Sequence, residues 1–173
     1  MIVLPYDPAW PSHAERAITS VSSALGDLIV AIEHIGSTAV PGLAAKPVID
    51  LMAAAPSVAA VAVSSASLAT IGFVRSEPTM PERLFYRREG EPVAYHLHIV
   101  SATSWETRNQ RILRDHLRGN AADREAYGRL KQDLAAGGGD GEAYTRAKTA
   151  LIQRMVDTAR TARGLPLVDV WEE

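Results

Sequence analysis

The sequence predicts an α/β (α+β) fold: a mixed sheet flanked by helices, with a helical C-terminal part. Three observations predict it. VIDLM at 48–52 and YHLHIV at 95–100 read as buried strands with a helix-period stretch between them. From Thr103 onward three helical segments follow one another. The 173 residues are 47% hydrophobic and 22% charged, which suits one core and a single domain over 1–173.

The elements follow in order. Asp7-Pro8 opens a helix, Asp as cap and Pro in the first turn. Ala14, Ala17, Ile18, Val21, Ala24 and Leu25 recur at helical spacing, and Gly26 stops the run. Leu28 to Ile35 reads as a strand. GSTAVPGLAAKP is turn-rich around one helical turn, and Val48 to Met52 is a buried strand with one charge at its centre. Ser57 to Ile71 reads as a helix ended by Gly72. Short strands are expected at Phe73–Arg75 and Leu84–Arg88, then the stronger Tyr95–Val100. Thr103-x-x-Glu106 reads as a capping box before a helix to Arg118. Helices over about 121–135 and 142–162 follow, with GGGDG between them and an extended tail, LPLVDVWEE.

Composition excludes several classes. The net charge of -2 argues against a large non-specific nucleic-acid binder. Without Cys there is no disulfide, thiolate metal site or thiol nucleophile. MIVLPYDPAW lacks a basic region followed by an apolar run, so no signal peptide is visible and the expected location is cytoplasmic. Leu51 to Val74 is uncharged and long enough to span a bilayer, but it is mostly Ala and Ser with Pro56 and Gly72, so no membrane span is expected. Of the 18 basic residues only Lys46, Lys131 and Lys148 are lysines, which hints that compact ammonium groups are wanted there.

The chemistry centres on residues 33–50. A strand leads into Gly36-Ser37-Thr38, where backbone and hydroxyls can hold phosphate oxygens. Lys46 supplies a point charge. Asp50 sits in an apolar strand, where an unpaired carboxylate is costly, so a divalent ion or a buried Arg must compensate it. Each piece alone has a plain reading: a capped turn, a solvated lysine, a buried ion pair. Together they form a sharper pattern, because glycine-serine after a strand with Asp in the next strand is the layout of nucleotidyltransferase-fold enzymes.

On the strand YHLHIV, His96 and His98 share one face and can bind one metal, or simply be two half-exposed imidazoles. His34 lies on the strand entering the Gly-Ser turn, whereas His13 and His116 read as surface residues. Arg108, Arg111, Arg114 and Arg118 line one helix face, either solvated or one wall of an anionic pocket. Tyr127 and Lys131, and again Tyr144 and Lys148, stand at i and i+4. Each pair offers a ring and a charge to a nucleotide, or is a core Tyr with a snorkelling Lys.

These segments together resemble the GrpB-like (UPF0157) family. The resemblance rests on LPYDPAW at 4–10, IEHIGSTAVPGLAAKPVIDL at 32–51, HLHIV at 96–100, LRDHLR at 113–118, AYGRLK at 126–131 and AYTRAKTALI at 143–152. It implies the nucleotidyltransferase fold. By that superfamily's pattern Gly36 and Ser37 match the glycine-serine pair and Asp50 the first metal-binding carboxylate. Met52 stands at the second carboxylate position, and His96 and His98 at the third.

The resemblance thus implies Asp50 and His98 as catalytic residues, and Mg²⁺ or Mn²⁺ on Asp50, His96 and His98. A nucleotide or other phosphate-bearing small molecule would lie on Gly36, Ser37, Thr38, Lys46, Lys131, Tyr144 and Lys148. Two functions stay open. One is a metal-dependent nucleotidyltransferase. The other is a non-catalytic accessory or binding domain, related to the one fused behind dephospho-CoA kinase, with a protein partner.

Overall fold

The computed structural model describes residues 2–77, 82–137 and 141–170, without the side chains of 141–144. Five strands form one mixed sheet: β1 Ala31–Ile35, β2 Val48–Ala55, β3 Val74–Arg75, β4 Arg83–Arg88 and β5 Ala94–Ser101. Their order is β1-β2-β5-β4-β3. β2 and β5 run parallel, and the other neighbours are antiparallel. The expected α/β class with a helical C-terminal part is therefore what the chain adopts.

Alternation along β2 and β5 gives the sheet two faces. Ile49, Leu51, Ala53 and Ala55 face one way with Leu97 and Ile99. They pack under helix α1, Trp10–Leu25, whose Trp10, Ala14, Ala17, Val21 and Leu25 are buried. Short α2, Val58–Val63, and α3, Ser65–Ala69, complete that layer through Val61 and Leu68.

The other face carries Met52 and Ala54, packed with Ile35, Val100 and Trp105. Over it lie α4 Asn109–Gly119, α5 Ala121–Ala136 and α6 Gly141–Ala162. Leu117, Tyr127, Ile152, Met155 and Val156 of these helices join Val40 and Leu43 of the β1–β2 connection. Among the described residues no helix is long and apolar enough to cross a membrane.

Several boundaries differ from the sequence expectation, each for a local reason. The first helix starts at Trp10 with Pro11 in its first turn, and the Asp7 carboxylate instead accepts the Ala9 N–H at 2.8 Å. A 3-10 turn over Gly26–Leu28 takes the start of the expected first strand. The helix expected over 57–71 is two pieces broken at Ser64, because the Ser65 hydroxyl turns back to the Ala62 carbonyl and meets the Tyr86 hydroxyl at 2.7 Å. The capping box does not form. Residues Ala102–Thr107 make a 3-10 helix capped by Ser101, Glu106 pairs with Arg111, and α4 begins only at Asn109. The GGGDG loop lies largely outside the described residues.

Candidate functional site

The strand β1 ends at Gly36, whose φ of 74° and ψ of -174° suit only glycine. The reason is the neighbouring strand. A Cβ at Gly36 would stand 2.7 Å from Asp50 Oδ2. The close neighbour that requires a glycine here is therefore Asp50.

Beyond it Ser37–Ala39 form a 3-10 turn. Thr38 is buried, and its hydroxyl donates to the Val48 carbonyl at 3.1 Å. It therefore accepts from His34 Nε2, 2.9 Å away. The Thr38 hydroxyl, a candidate for phosphate contact, also ties His34 of β1 to Val48 of β2. His34 pairs with Leu51, so it lies on the sheet face opposite Asp50.

Burial, and then the nearby Arg118, push the His34 pKa down to about 4, with Asp50 opposing. The folded form thus refuses a proton that the unfolded chain takes up below its ordinary 6.5. His98 is shifted in the same direction, first by burial. Stability should be full above pH 6.5 and decline from there towards pH 4, with a slope of up to about 1.4 kcal/mol per pH unit from His34. Urea melts at several pH values check this. The variant His34→Gln keeps a donor to Thr38 without titrating and should flatten the slope.

Asp50 lies in register with His96 across the parallel pair, and Met52 with His98. Its Oδ1 is 3.2 Å from His96 Nδ1 and 3.9 Å from His98 Nε2. The other His98 nitrogen, Nδ1, receives Arg83 at 2.8 Å. A guanidinium only donates, so Nδ1 accepts and the hydrogen sits on Nε2, facing Asp50. Burial pushes the Asp50 carboxyl up, but hydrogen bonds from His96 and His98 outweigh it and hold the carboxyl below its ordinary value. Phe85 of β4 stacks on His98 at 4.9 Å and meets His96 edge-on at 5.1 Å.

This donor set does not fit the expected divalent ion. Both His98 nitrogens are engaged, leaving Asp50 and His96 as ligands. Met52, at the second carboxylate position, is buried against Ile35 and Trp105. Among the described residues no group of three or more His, Asp or Glu side chains is placed to hold a metal. The partner of Asp50 is a pair of imidazoles, not a buried Arg.

Facing this floor is a cleft of about 410 Å³. All three lysines of the chain line it: Lys46 from the β1–β2 connection, Lys131 from α5 and Lys148 from α6. Lys46 is exposed at the rim. Lys131 is only 7% exposed, 4.4 Å from the Tyr127 ring centroid and 2.7 Å from Ser37 Oγ. Burial, and then Lys148, push its pKa down to about 7. Lys148 is lowered by burial and by Lys46. Tyr144 is on α6, but its side chain lies outside the described residues. Gly36, Ser37, Thr38, Asp50, His96 and His98 line the same cleft.

The arginine face serves the scaffold. Arg111 and Arg114 converge on Glu33 of β1 at 3.0 and 2.6 Å, and Arg118 donates to the Ala39 carbonyl at 2.9 Å. Arg108 is buried and bonds Ser104. Of the two readings of this face, solvated or pocket wall, only Arg114 lines the cleft, and it is paired. His116, expected at the surface, is instead paired with Asp123 at 2.6 Å, and Asp123 also takes Arg154. That tie joins α4, α5 and α6. Arg83 is the site residue that sequence reasoning missed. Its signal, a cation at the edge of a short strand, becomes meaningful only through pairing with β5.

Comparison with known proteins gives consistent matches. Residues 1–158 match the family described as "GrpB protein". A UPF0157 protein of Halalkalibacterium halodurans is 32% identical over 161 residues, covering 91% of this chain and 81% of the relative. The crystal structure of conserved protein GrpB from Enterococcus faecalis superposes with a TM-score of 0.83 at 30% identity, covering 94% of this chain and 99% of that one. A dephospho-CoA kinase of Mycolicibacterium paratuberculosis is 37% identical over 78 residues, which is 43% of this chain and 19% of the kinase.

Proposed function

The chain belongs to the GrpB (UPF0157) family, and from the cleft that its fold carries we propose that it binds a phosphate-bearing small molecule of the nucleotide class. One observation carries the reading. A chain with 15 arginines and three lysines sets all three lysines around one cleft, where burial and then Lys148 lower the proton affinity of Lys131, and burial and then Lys46 lower that of Lys148. Like charges gathered against their mutual repulsion favour an anion that relieves it. Lys46 and Lys148 face the phosphates, with the Ser37 hydroxyl at the bottom. Metal-assisted nucleotidyl transfer through Asp50 draws no support from a donor set in which His98 is committed to Arg83.

Calorimetry with pyrophosphate and with ATP at pH 7 tests this. Binding should weaken steeply as salt is raised, because Lys46 and Lys148 meet the anion through charge. Lys148→Ala and Lys46→Ala should each weaken binding about tenfold or more, the scale of one charged hydrogen bond. No heat from either ligand at millimolar concentration would remove the reading.

A second reading is a non-catalytic accessory domain with a protein partner. The segment shared with dephospho-CoA kinases favours it. Under that reading dephospho-CoA kinase added to the chain should shift its sedimentation, and the lysine variants should bind the kinase unchanged.

A further inference from the structure

We propose that Ser37 is a nucleophile towards phosphoryl groups, with Lys131 as its base, acting on a phosphoanhydride held by Lys46 and Lys148. This rests on the phosphate-binding reading of the same cleft and goes beyond it to a reaction.

The geometry begins with an unusual lysine. Lys131 is buried, and among the described residues it bonds no carboxylate; its hydrogen-bond partner is the Ser37 hydroxyl at 2.7 Å. Buried lysines are ordinarily paired with an acid. Here the surroundings work against the charge. Lys148 faces it from α6 with Lys46 beyond, and Tyr127 of its own helix offers a ring. Arg114 of α4 and Arg83 of β4 line the same cleft, as do the two imidazoles. The opposing charge is Asp50, engaged with His96 and His98. At neutral pH a large share of Lys131 is therefore a free amine. A serine hydroxyl is a weak nucleophile unless a base at hydrogen-bond distance removes its proton, and a desolvated lysine is such a base.

The surrounding cations select phosphorus as the electrophile, since charge on the transferring group is what they stabilise. In the step, the Ser37 Oγ–P bond forms while the bridging P–O bond breaks. The hydroxyl proton passes to Lys131 Nζ and then to the departing phosphate oxygen. Water later cleaves phosphoserine, releasing inorganic phosphate and restoring the hydroxyl.

The test uses the full chain and two probes. Diisopropyl fluorophosphate should modify Ser37, located by peptide mass spectrometry, at a rate that rises with pH through about 7 and then levels, following loss of the Lys131 proton. Labelled pyrophosphate should leave acid-stable phosphoserine at the same residue. Ser37→Ala should give neither adduct. Lys131→Arg keeps a donor and a cation but never becomes neutral, so its rate should fall by about 100-fold or more, the scale of a lost general base.

No adduct on Ser37 across pH 6 to 9, an adduct without the pH rise, or a wild-type rate in Lys131→Arg would overturn the proposal. A fluorophosphate adduct without phosphoserine would overturn its phosphoanhydride part. Should Lys131→Arg fail to fold by circular dichroism, the adduct position and pH profile of the unaltered protein decide. Calorimetric binding of pyrophosphate with no adduct ends the serine proposal and leaves the phosphate reading standing. An adduct without pyrophosphate binding ends the phosphate reading instead.

Discussion

Glu33→Gln is expected to lower stability by about 1.5–3 kcal/mol, the scale of hydrogen bonds to a charged partner, because the carboxylate itself is 33% exposed. The carboxylate accepts Arg111 through both of its oxygens, at 3.1 and 3.0 Å, and Arg114 at 2.6 Å. The guanidinium side chains are only 14% and 8% exposed. Without the charge of Glu33 they repel each other across a small gap, although Arg111 keeps the Trp105 ring at 4.2 Å and Arg114 keeps Asp115. The same group sets part of the acid limit. Burial pushes its carboxyl up, but hydrogen bonds from Arg111 and Arg114 outweigh this and hold it below the ordinary 4.5. Its contribution is therefore full above that value and is lost as pH falls through the lowered one. Urea melts of the wild type and the variant measure the effect. A loss within about 0.5 kcal/mol, the range of an ordinary surface change, would mean that α4 docks on β1 without this clamp.

Gly36→Ala should be nearly as costly. A non-glycine residue at this φ and ψ costs on the order of 1–3 kcal/mol. The added methyl then meets Asp50 Oδ2 at 2.7 Å and Asp50 Cβ at 3.1 Å, which overpacks the strand junction. The two contributions separate in a double-mutant cycle. In an Asp50→Ala background the oxygen is gone, so Gly36→Ala should cost less there than in the wild type. An equal cost in both backgrounds would show that the carboxylate does not dictate the glycine.

The sheet was legible because its signals are local. A single charge in VIDLM and the two-residue period of YHLHIV mark β2 and β5 without reference to anything else. The scarcity of lysine pointed to three positions, and all three line the cleft. What stayed hidden depends on register between distant segments. That Asp50 faces His96 follows from parallel pairing of strands joined by a long crossover, and no local pattern fixes that register. Arg83 holds His98 only because β4 pairs antiparallel with β5. The arginine face of α4 was visible as a periodicity, but its counter-ion Glu33 lies far away on β1, so helical spacing alone could not tell clamp from pocket wall. Ser64 and Ser65 interrupt a helix through hydroxyl contacts that composition does not reveal.

The wiring of the sheet has a consequence for synthesis. The central strand of the sheet is β5, yet it emerges from the ribosome after β3 and β4, long after its parallel neighbour β2, and α4 to α6 come later still. A nascent chain ending after β5 already owns Ser37, Asp50 and both imidazoles, but the apolar face of Met52, Ala54 and Val100 beside them is uncovered. Pairings so distant in sequence are slow to form, and apolar faces left waiting invite association with other chains. Two of the three lysines, residues 131 and 148, are added only with α5 and α6. The cleft lined by the three lysines is thus complete only once α5 and α6 have been made, and a chain stopped before them exposes the sheet surface to neighbours.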